Sequence, residues 1–268
     1  MNSILRPTFF LAHREFMRFI RQPHRVAASL GQPLLFWIFL GTGFSASFHP
    51  PGLDGISYLE YFYPGVLMML ILFASIFSVI TVIEDRERGF LQGVLTAPIP
   101  RLSIALGKIL GGASIALFQS GLLLALVPFL DLEPTIGGML LVGAGMILSA
   151  IGYTALSFAI AWPMTSTSGF HAIMMIFLMP LWLLSGALFP VTGAPVWLQG
   201  VMAINPVAHA LTLIRMPFYH DVAAAFHTTG YVMSLSVVLG WVSLCLWWSV
   251  SRVSRQENGG MQKSIATP

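Results

Sequence analysis

From Tyr61 to Ile83 the chain reads YFYPGVLMMLILFASIFSVITVI, a run with no Asp, Glu, Lys or Arg. A helix of about twenty apolar residues is long enough to cross the hydrocarbon layer of a bilayer. Five further stretches meet that requirement, which puts spans at about 26–46, 61–83, 104–130, 136–161, 170–190 and 230–250. Lipid offers no solvent for backbone N–H and C=O groups, so each span is read as a helix that satisfies them internally. The charged fraction is 9% and the mean hydropathy +0.82, against about 25% charged residues in a typical soluble domain. The expected fold is therefore all-α: a polytopic membrane protein with six transmembrane helices.

The basic residues set the orientation. With the N-terminus in the cytoplasm, the cytoplasmic parts hold Arg6, Arg14, Arg18, Arg21, Arg25, Arg86, Arg88, Arg101, Lys108, Arg252, Arg255 and Lys263. That is twelve of the thirteen Lys and Arg residues, and only Arg215 falls outside. The positive-inside rule selects this topology, and six spans return the C-terminus to the same side. The expected organisation is a cytoplasmic amphipathic helix over 1–25, a transmembrane domain over 26–250 and a cytoplasmic tail over 251–268. The start of the chain lacks the early apolar core and cleavage site of a signal peptide, so the first span is expected to direct insertion.

Residues 8–21 have helical period. Phe9, Ala12, Phe16, Phe19 and Ile20 share one side, while Arg14, Arg18, Arg21 and Arg25 recur on another. Such a helix is expected in the membrane interface, its aromatics in lipid and its arginines among anionic head groups. It either anchors the chain or also braces a cytoplasmic partner. Before the last span, Pro190, Pro195, Pro206 and Pro217 interrupt a moderately apolar section. Helices tend to end before such prolines. Short outer-side helices near 195–203 and 206–215 are expected there, with an irregular loop as the alternative.

Seven charges lie between Glu84 and Lys108, around EDRERGFLQGVLTAPIPR. Glu84 and Arg88 stand at the i,i+4 spacing of favourable helix pairs. Gly89 can end the helix. Phe90, Leu91, Val94 and Leu95 give a short apolar face, and Pro98 and Pro100 turn the chain back. This is a poor catalytic site, with no nucleophile beside a base and no metal-ligand cluster. It is a good shape for a plug that seats in a groove on another protein.

These residues carry a resemblance. The chain is similar along nearly its whole length to the permease subunits of ABC-2 type exporters, the group that includes nodulation-factor, drug and polysaccharide exporters. Glu84, Arg86, Glu87 and Gly89 stand at that family's acidic-basic-acidic-glycine run. Leu91, Val94, Leu95 and Thr96 match the following helix, and Pro98 and Arg101 the turn; Phe90 takes a position often held by Thr. Gly186, Phe189, Pro190, Pro195, Pro206 and Arg215 match the family's late signature. The resemblance implies an ATP-driven export permease without an ATPase site of its own. It implies a separate ATP-binding subunit that holds ATP and Mg, and a second permease chain that makes a homodimer. Glu84, Arg86, Glu87, Arg88, Gly89, Phe90, Leu91, Val94, Leu95, Pro98 and Arg101 would form the ATPase-coupling segment. The interfacial helix (Phe9, Arg14, Phe16, Arg18 and Phe19) would brace it, in contact with membrane lipids. The implied location is the cell (inner or plasma) membrane, multi-pass.

What is missing from the sequence agrees. The chain has no GxxxxGK[ST] loop, and Lys108, in its only Gly-Lys pair, is read as a residue snorkelling to the membrane surface. A formal charge of +3 makes nucleic acid an unsuitable partner. The lone Cys245 supports neither an internal disulfide nor a Cys-based metal site. His171 and His209 are far apart and are read as structural. Gln119, deep in a span, suits either a path lining or a helix-to-helix hydrogen bond. Gly107 and Gly111 read as close packing. The alternative function is a non-transport membrane scaffold for a multiprotein complex, which leaves the Glu84–Arg101 segment without a purpose. A lipid-acting enzyme would need catalytic groups gathered at one depth, and none are spaced that way.

Overall fold

A computed structural model of the chain describes residues 2–45 and 55–265. Among these residues the chain is all-α, with no strand. Helix α1 (Asn2–Ile20) leads through a two-residue break into α2 (Pro23–Phe44), where Pro23 suits a first helical turn. Helix α3 (Tyr58–Glu87) starts with a capping box. The Glu60 backbone N–H donates to Ser57 Oγ, and the Ser57 N–H donates to the Glu60 carboxylate. Then come the short α4 (Phe90–Thr96), α5 (Arg101–Leu124), α6 (Ile136–Ala161), α7 (Thr167–Leu183), α8 (Val196–Ile204), α9 (Pro206–Tyr219), α10 (Val222–His227) and the long α11 (Thr229–Ile265).

Helix α3 is the axis of the bundle. In its most apolar stretch 83% of the residues are buried inside the chain, against 17% in α2 and 28% in α11. The most apolar run in the sequence is thus wrapped by protein. It packs against α2, α5, α6, α7 and α9, and the flanking helices turn their greasy outer faces outward. Phe39, Leu140, Phe177 and Trp247 are among the large apolar side chains left exposed, as a lipid-facing surface requires.

Five helices are long and apolar enough to cross a membrane: α2, α3, α5 with its 3-10 extension to Phe129, α6, and α11 over Thr229–Ser254. Four of these lie where the sequence predicts spans. For the first, the expected end at 46 lies outside the described residues. The expected fifth span, 170–190, differs. Helix α7 stops at Leu183 after 17 residues, and Gly186 takes a left-handed φ of 84° that turns the chain out of the helix. At 1.5 Å per residue, α7 covers only about 26 Å. The two proline-bounded helices expected after it are present as α8 and α9. They meet at an 84° bend and together would count as one further broken span. The expected tail from 251 continues α11 as helix to Ile265, and 266–268 lie outside the described residues.

Candidate functional site

At the end of the bundle where most basic residues gather, α3 runs to Glu87. Gly89 then turns the chain with φ 75°, a conformation that a side chain would strain. Seven residues of α4 follow, then the Pro98 and Pro100 turn, and Arg101 opens α5. Arg86 reaches across to the turn after α6. Its guanidinium donates to the carbonyl of Met164 at 2.6 Å and to that of Trp162, and lies 5.6 Å from the Trp162 ring centroid. Those carbonyls close the α6 C-terminus, where the helix leaves acceptors unsatisfied and favours a cation.

Beneath α4 lies a buried cluster of charges on three helices. Lys108 of α5 donates to Glu15 of α1 at 2.9 Å and to Asp85 of α3 at 2.5 Å. Arg14 and Arg18 of α1 bind the same Asp85, each at 3.1 Å, and Arg18 also binds Glu84 at 2.5 Å. Arg14 closes the ring with Glu15 at 2.7 Å. Three cations face three carboxylates, so the cluster is neutral as a whole. Burial works against the charge of Arg14, but hydrogen bonds and charge from Asp85 and Glu15 outweigh it and raise its pKa. Buried ions of this kind are tolerable only when paired and hydrogen-bonded.

Glycine makes the cluster possible. A Cβ on Gly107 would stand 2.6 Å from Leu11 Cβ, and one on Gly111 would stand 2.8 Å from Glu15 Cβ. The GxxxG spacing is therefore the contact that brings α5 against α1 and sets Lys108 beside Glu15.

Several sequence expectations change here. Lys108 does not snorkel to the surface: it is 4% exposed and held by two carboxylates. Arg14 and Arg18 turn into the protein, towards Asp85, instead of towards head groups. Glu84 pairs with Arg18, while its i,i+4 partner Arg88 is 4.0 Å away and mostly exposed. Glu87 is exposed, with no ion pair among the described residues. The aromatic face of α1 splits. Phe9 is exposed, Phe16 meets Phe118 edge-on at 5.7 Å, and Phe19 lines a cleft between α1, α2, α3 and α5.

The largest correction concerns Leu91. It is 2% exposed, inside this chain's own core, and Val94 packs against the same core half-buried. The apolar face of α4 thus docks inward. Its outward face is Phe90, Gln92, Gly93 and Thr96, continued by Pro98. The Phe90 ring packs against the Arg14 guanidinium, which lies 3.7 Å from its centroid and ties it to the charge cluster. Arg101 is half-buried at the start of α5; Leu95 belongs to α4, but its side chain lies outside the described residues.

Of the late signature, Arg215 and Gly186 meet at the opposite end. Arg215 donates to the Gly186 carbonyl at 2.8 Å, the Ala187 carbonyl at 3.4 Å and Tyr61 Oη at 3.2 Å. Tyr61 and Tyr58 donate to the Gly186 and Leu188 carbonyls, each at 3.0 Å. Asn205 Nδ2 donates to the carbonyls of Leu181 and Leu184, and its Oδ1 caps α9 at Val207. Pro195 and Pro206 stand at the starts of α8 and α9. Phe189 and Pro190 lie in the turn between α7 and α8. Among the described residues this end is a clamp on broken backbone. Among the described residues no three His, Cys, Asp or Glu side chains gather to hold a metal ion.

Residues 7–219 match the family described as ABC-2 type transporter. The transport permease ycf38 of Cyanophora paradoxa is 30% identical over 216 residues, 80% of this chain and 74% of the relative. The multidrug ABC transporter permease YbhR of Escherichia coli strain K12 is 28% identical over 188 residues, 65% of this chain and 47% of that protein. The daunorubicin resistance ABC transporter permease protein DrrB1 of Streptomyces coeruleorubidus is 24% identical over 232 residues, 84% of this chain and 79% of the relative.

Proposed function

The chain belongs to the ABC-2 type transporter family, and on that premise we propose that it is the permease subunit of an ATP-driven exporter, coupled through α4 to a separate ATP-binding subunit. Family membership makes it a transmembrane component of an ABC transporter. The finer steps are the export direction, the partner and the surface that meets it. Two relatives named for multidrug transport and daunorubicin resistance support outward movement of cargo.

The observation that carries the coupling reading is the pairing of a small exposed face with a rigid seat. Phe90, Gln92, Gly93 and Thr96 face outward, while Leu91 and the Arg14 contact pin α4 from below. Movement of α4 would be passed through Asp85 and Glu84 to α1 and through Lys108 to α5. A flexible connector would transmit nothing. The partner would hold ATP and Mg, because this chain has no phosphate-binding loop. Two permease chains would form the path, and the basic end would face the cytoplasm of a cell that carries the protein in its inner or plasma membrane.

The test is a pull-down of the co-expressed ATP-binding subunit, at matched membrane levels. Phe90→Asp changes the exposed face and should leave insertion intact while cutting capture of the partner about tenfold or more, since a charge would be desolvated in the joint. Leu91→Asp should instead lower the amount of folded permease, because it places the charge in this chain's core. Wild-type capture and wild-type ATP hydrolysis by the Phe90→Asp complex would defeat the coupling assignment.

A further inference from the structure

Between Glu133 and Arg215 the chain has no Lys, Arg, Asp or Glu. Helices α6 and α7 and the turn that joins them all fall in this stretch. At the basic end they therefore have no Lys, Arg or carboxylate with which to join the charge cluster. The cation that reaches them comes from α3. Arg86 donates to the Met164 carbonyl at 2.6 Å and to the Trp162 carbonyl, and its guanidinium lies 5.6 Å from the centroid of the buried Trp162 ring. Among the described residues, these are the only hydrogen bonds that residues 162–166 receive from outside α6, α7 and the turn itself.

Helix α7 buries one stripe in this chain. Phe170, Met174, Leu178 and Trp182 recur at steps of four residues and face inward. His171, Ile173, Ile176 and Phe177 on its other sides are exposed. Its far end is fastened: Trp182 Nε1 donates to the Gly65 carbonyl of α3 at 2.9 Å, and Asn205 holds the carbonyls of Leu181 and Leu184. Its basic end has His171 stacked on Phe77 of α3, with ring centroids 5.1 Å apart, and the grip of Arg86 on the turn before it.

Capping alone does not account for Arg86. A helix C-terminus is commonly closed by a glycine or by a cation in its own last turn. The last turn of α6 has no basic residue, and its donor comes from 76 and 78 residues away. The same turn of α3 carries Glu84 and Asp85, which bind α1 and α5. Neighbouring side chains of one turn thus grip α1, α5 and the α6–α7 turn, and that turn of α3 is the one that leads into α4. A planar guanidinium can serve two carbonyls at once in a fixed geometry, which an ammonium does less well.

We propose that Arg86 is a positioning residue for coupling: it makes the start of α7 follow the α3–α4 corner, so that a change at the ATP-binding subunit reaches α7 as well as α1. This role rests on α4 being the coupling helix. Without Arg86 the subunit would still seat on α4 and α1 would still respond through Glu84 and Asp85, but the α6–α7 turn would not follow.

The test uses the full chain co-expressed with its ATP-binding subunit and reconstituted in phosphatidylcholine nanodiscs. Amide exchange is followed by mass spectrometry, first without nucleotide and then after trapping with ATP, Mg and vanadate. In the wild type, trapping should change exchange about threefold or more both in residues 10–20 of α1 and in residues 162–171, because local opening reports how firmly each is held. Arg86→Gln removes two charged hydrogen bonds, so exchange in 162–171 should quicken about tenfold or more without nucleotide. A local cap would do the same. The separating readout is the response to trapping, which should vanish in 162–171 of Arg86→Gln and persist in 10–20. The subunit should still be captured, because the guanidinium points into the α6–α7 turn. Arg86→Lys should restore part of the protection and part of the response. If Arg86→Gln does not fold, Arg86→Lys carries the comparison, with a response in 162–171 below that of the wild type.

A wild-type response in 162–171 of these variants would make Arg86 a local cap and overturn the role. Loss of the response in α1 as well would overturn it, as would a wild-type complex in which trapping changes α1 and leaves 162–171 unmoved. Each of these results leaves α4 as the docking helix, since the subunit is captured. Failure of the wild-type chain to capture the subunit would instead defeat the coupling reading, and the role of Arg86 with it.

Discussion

The two ends of the bundle are held together by different chemistry. At the basic end Arg14, Arg18 and Lys108 bind Glu15, Glu84 and Asp85, side chain to side chain. At the far end Arg215, Tyr58, Tyr61 and Asn205 bind backbone carbonyls of residues 181–188. The difference follows from the state of the backbone. Helices α1 and α5 pass the cluster in mid-helix, so Arg14, Arg18 and Lys108 answer carboxylates there, while Arg86 at the same end serves the carbonyls that close α6. Helix α7 stops short at Leu183 and leaves carbonyls open, so the far end needs donors. One end is joined mainly by ion pairs between helices; the other is held by donors to the backbone where α7 breaks off.

The comparison breaks most severely at Lys108. Lys108→Met would strip one cation from a buried, balanced cluster and leave Glu15 and Asp85 in excess. Removal of one partner from a buried pair costs about 3–5 kcal/mol, which is the largest effect expected here. Chemical unfolding of the reconstituted protein measures it, and pairing Lys108→Met with Asp85→Asn should recover part of the loss. An additive double variant would show that the two side chains do not share one network.

The far end should be somewhat less sensitive. Arg215→Leu removes charged hydrogen bonds to the Gly186 and Ala187 carbonyls, a loss of about 1.5–3 kcal/mol. Because the loss is local, amide exchange should accelerate in residues 184–190 while α1 and α5 keep their protection. Uniform acceleration at both ends would contradict the separation. The smallest effect is expected at Arg88. Its contact with Glu84 is 4.0 Å long and its side chain 70% exposed, so Arg88→Gln should change stability by less than about 1 kcal/mol.

Much of this architecture is legible in the sequence. Apolar length marks the spans, because lipid leaves the backbone few options. Prolines mark the break between α8 and α9, because their rings stop helices at fixed places. The basic cluster is harder to read. Periodicity puts Arg14 and Arg18 on one face of α1, but it does not say which surface that face meets. Lys108 carries one signal, a cation within an apolar helix, where a partner is normally required, and the surface reading passes over it. The GxxxG beside it pointed to the contact but could not name Glu15. Leu91 meets this chain's own core, which the sequence does not show because seven residues are too few turns for periodicity to tell an inward face from an outward one. The end of α7 is hidden in the sequence because its apolar composition continues past Leu183 while its backbone turns at Gly186.

The measurement that tests the central claim most directly compares the ends by cross-linking. Single cysteines at Gln92 and Thr96 on the outward face of α4, and at Phe129 and Trp197 at the far end, are all at exposed positions. They would be placed in a chain whose buried Cys245 is replaced by Ser. In membranes that contain the ATP-binding subunit, a short bifunctional reagent should join that subunit to the chain at Gln92→Cys and Thr96→Cys, and not at Phe129→Cys or Trp197→Cys. Cross-links at the far end, or none on α4 while the two proteins still co-purify, would contradict the account.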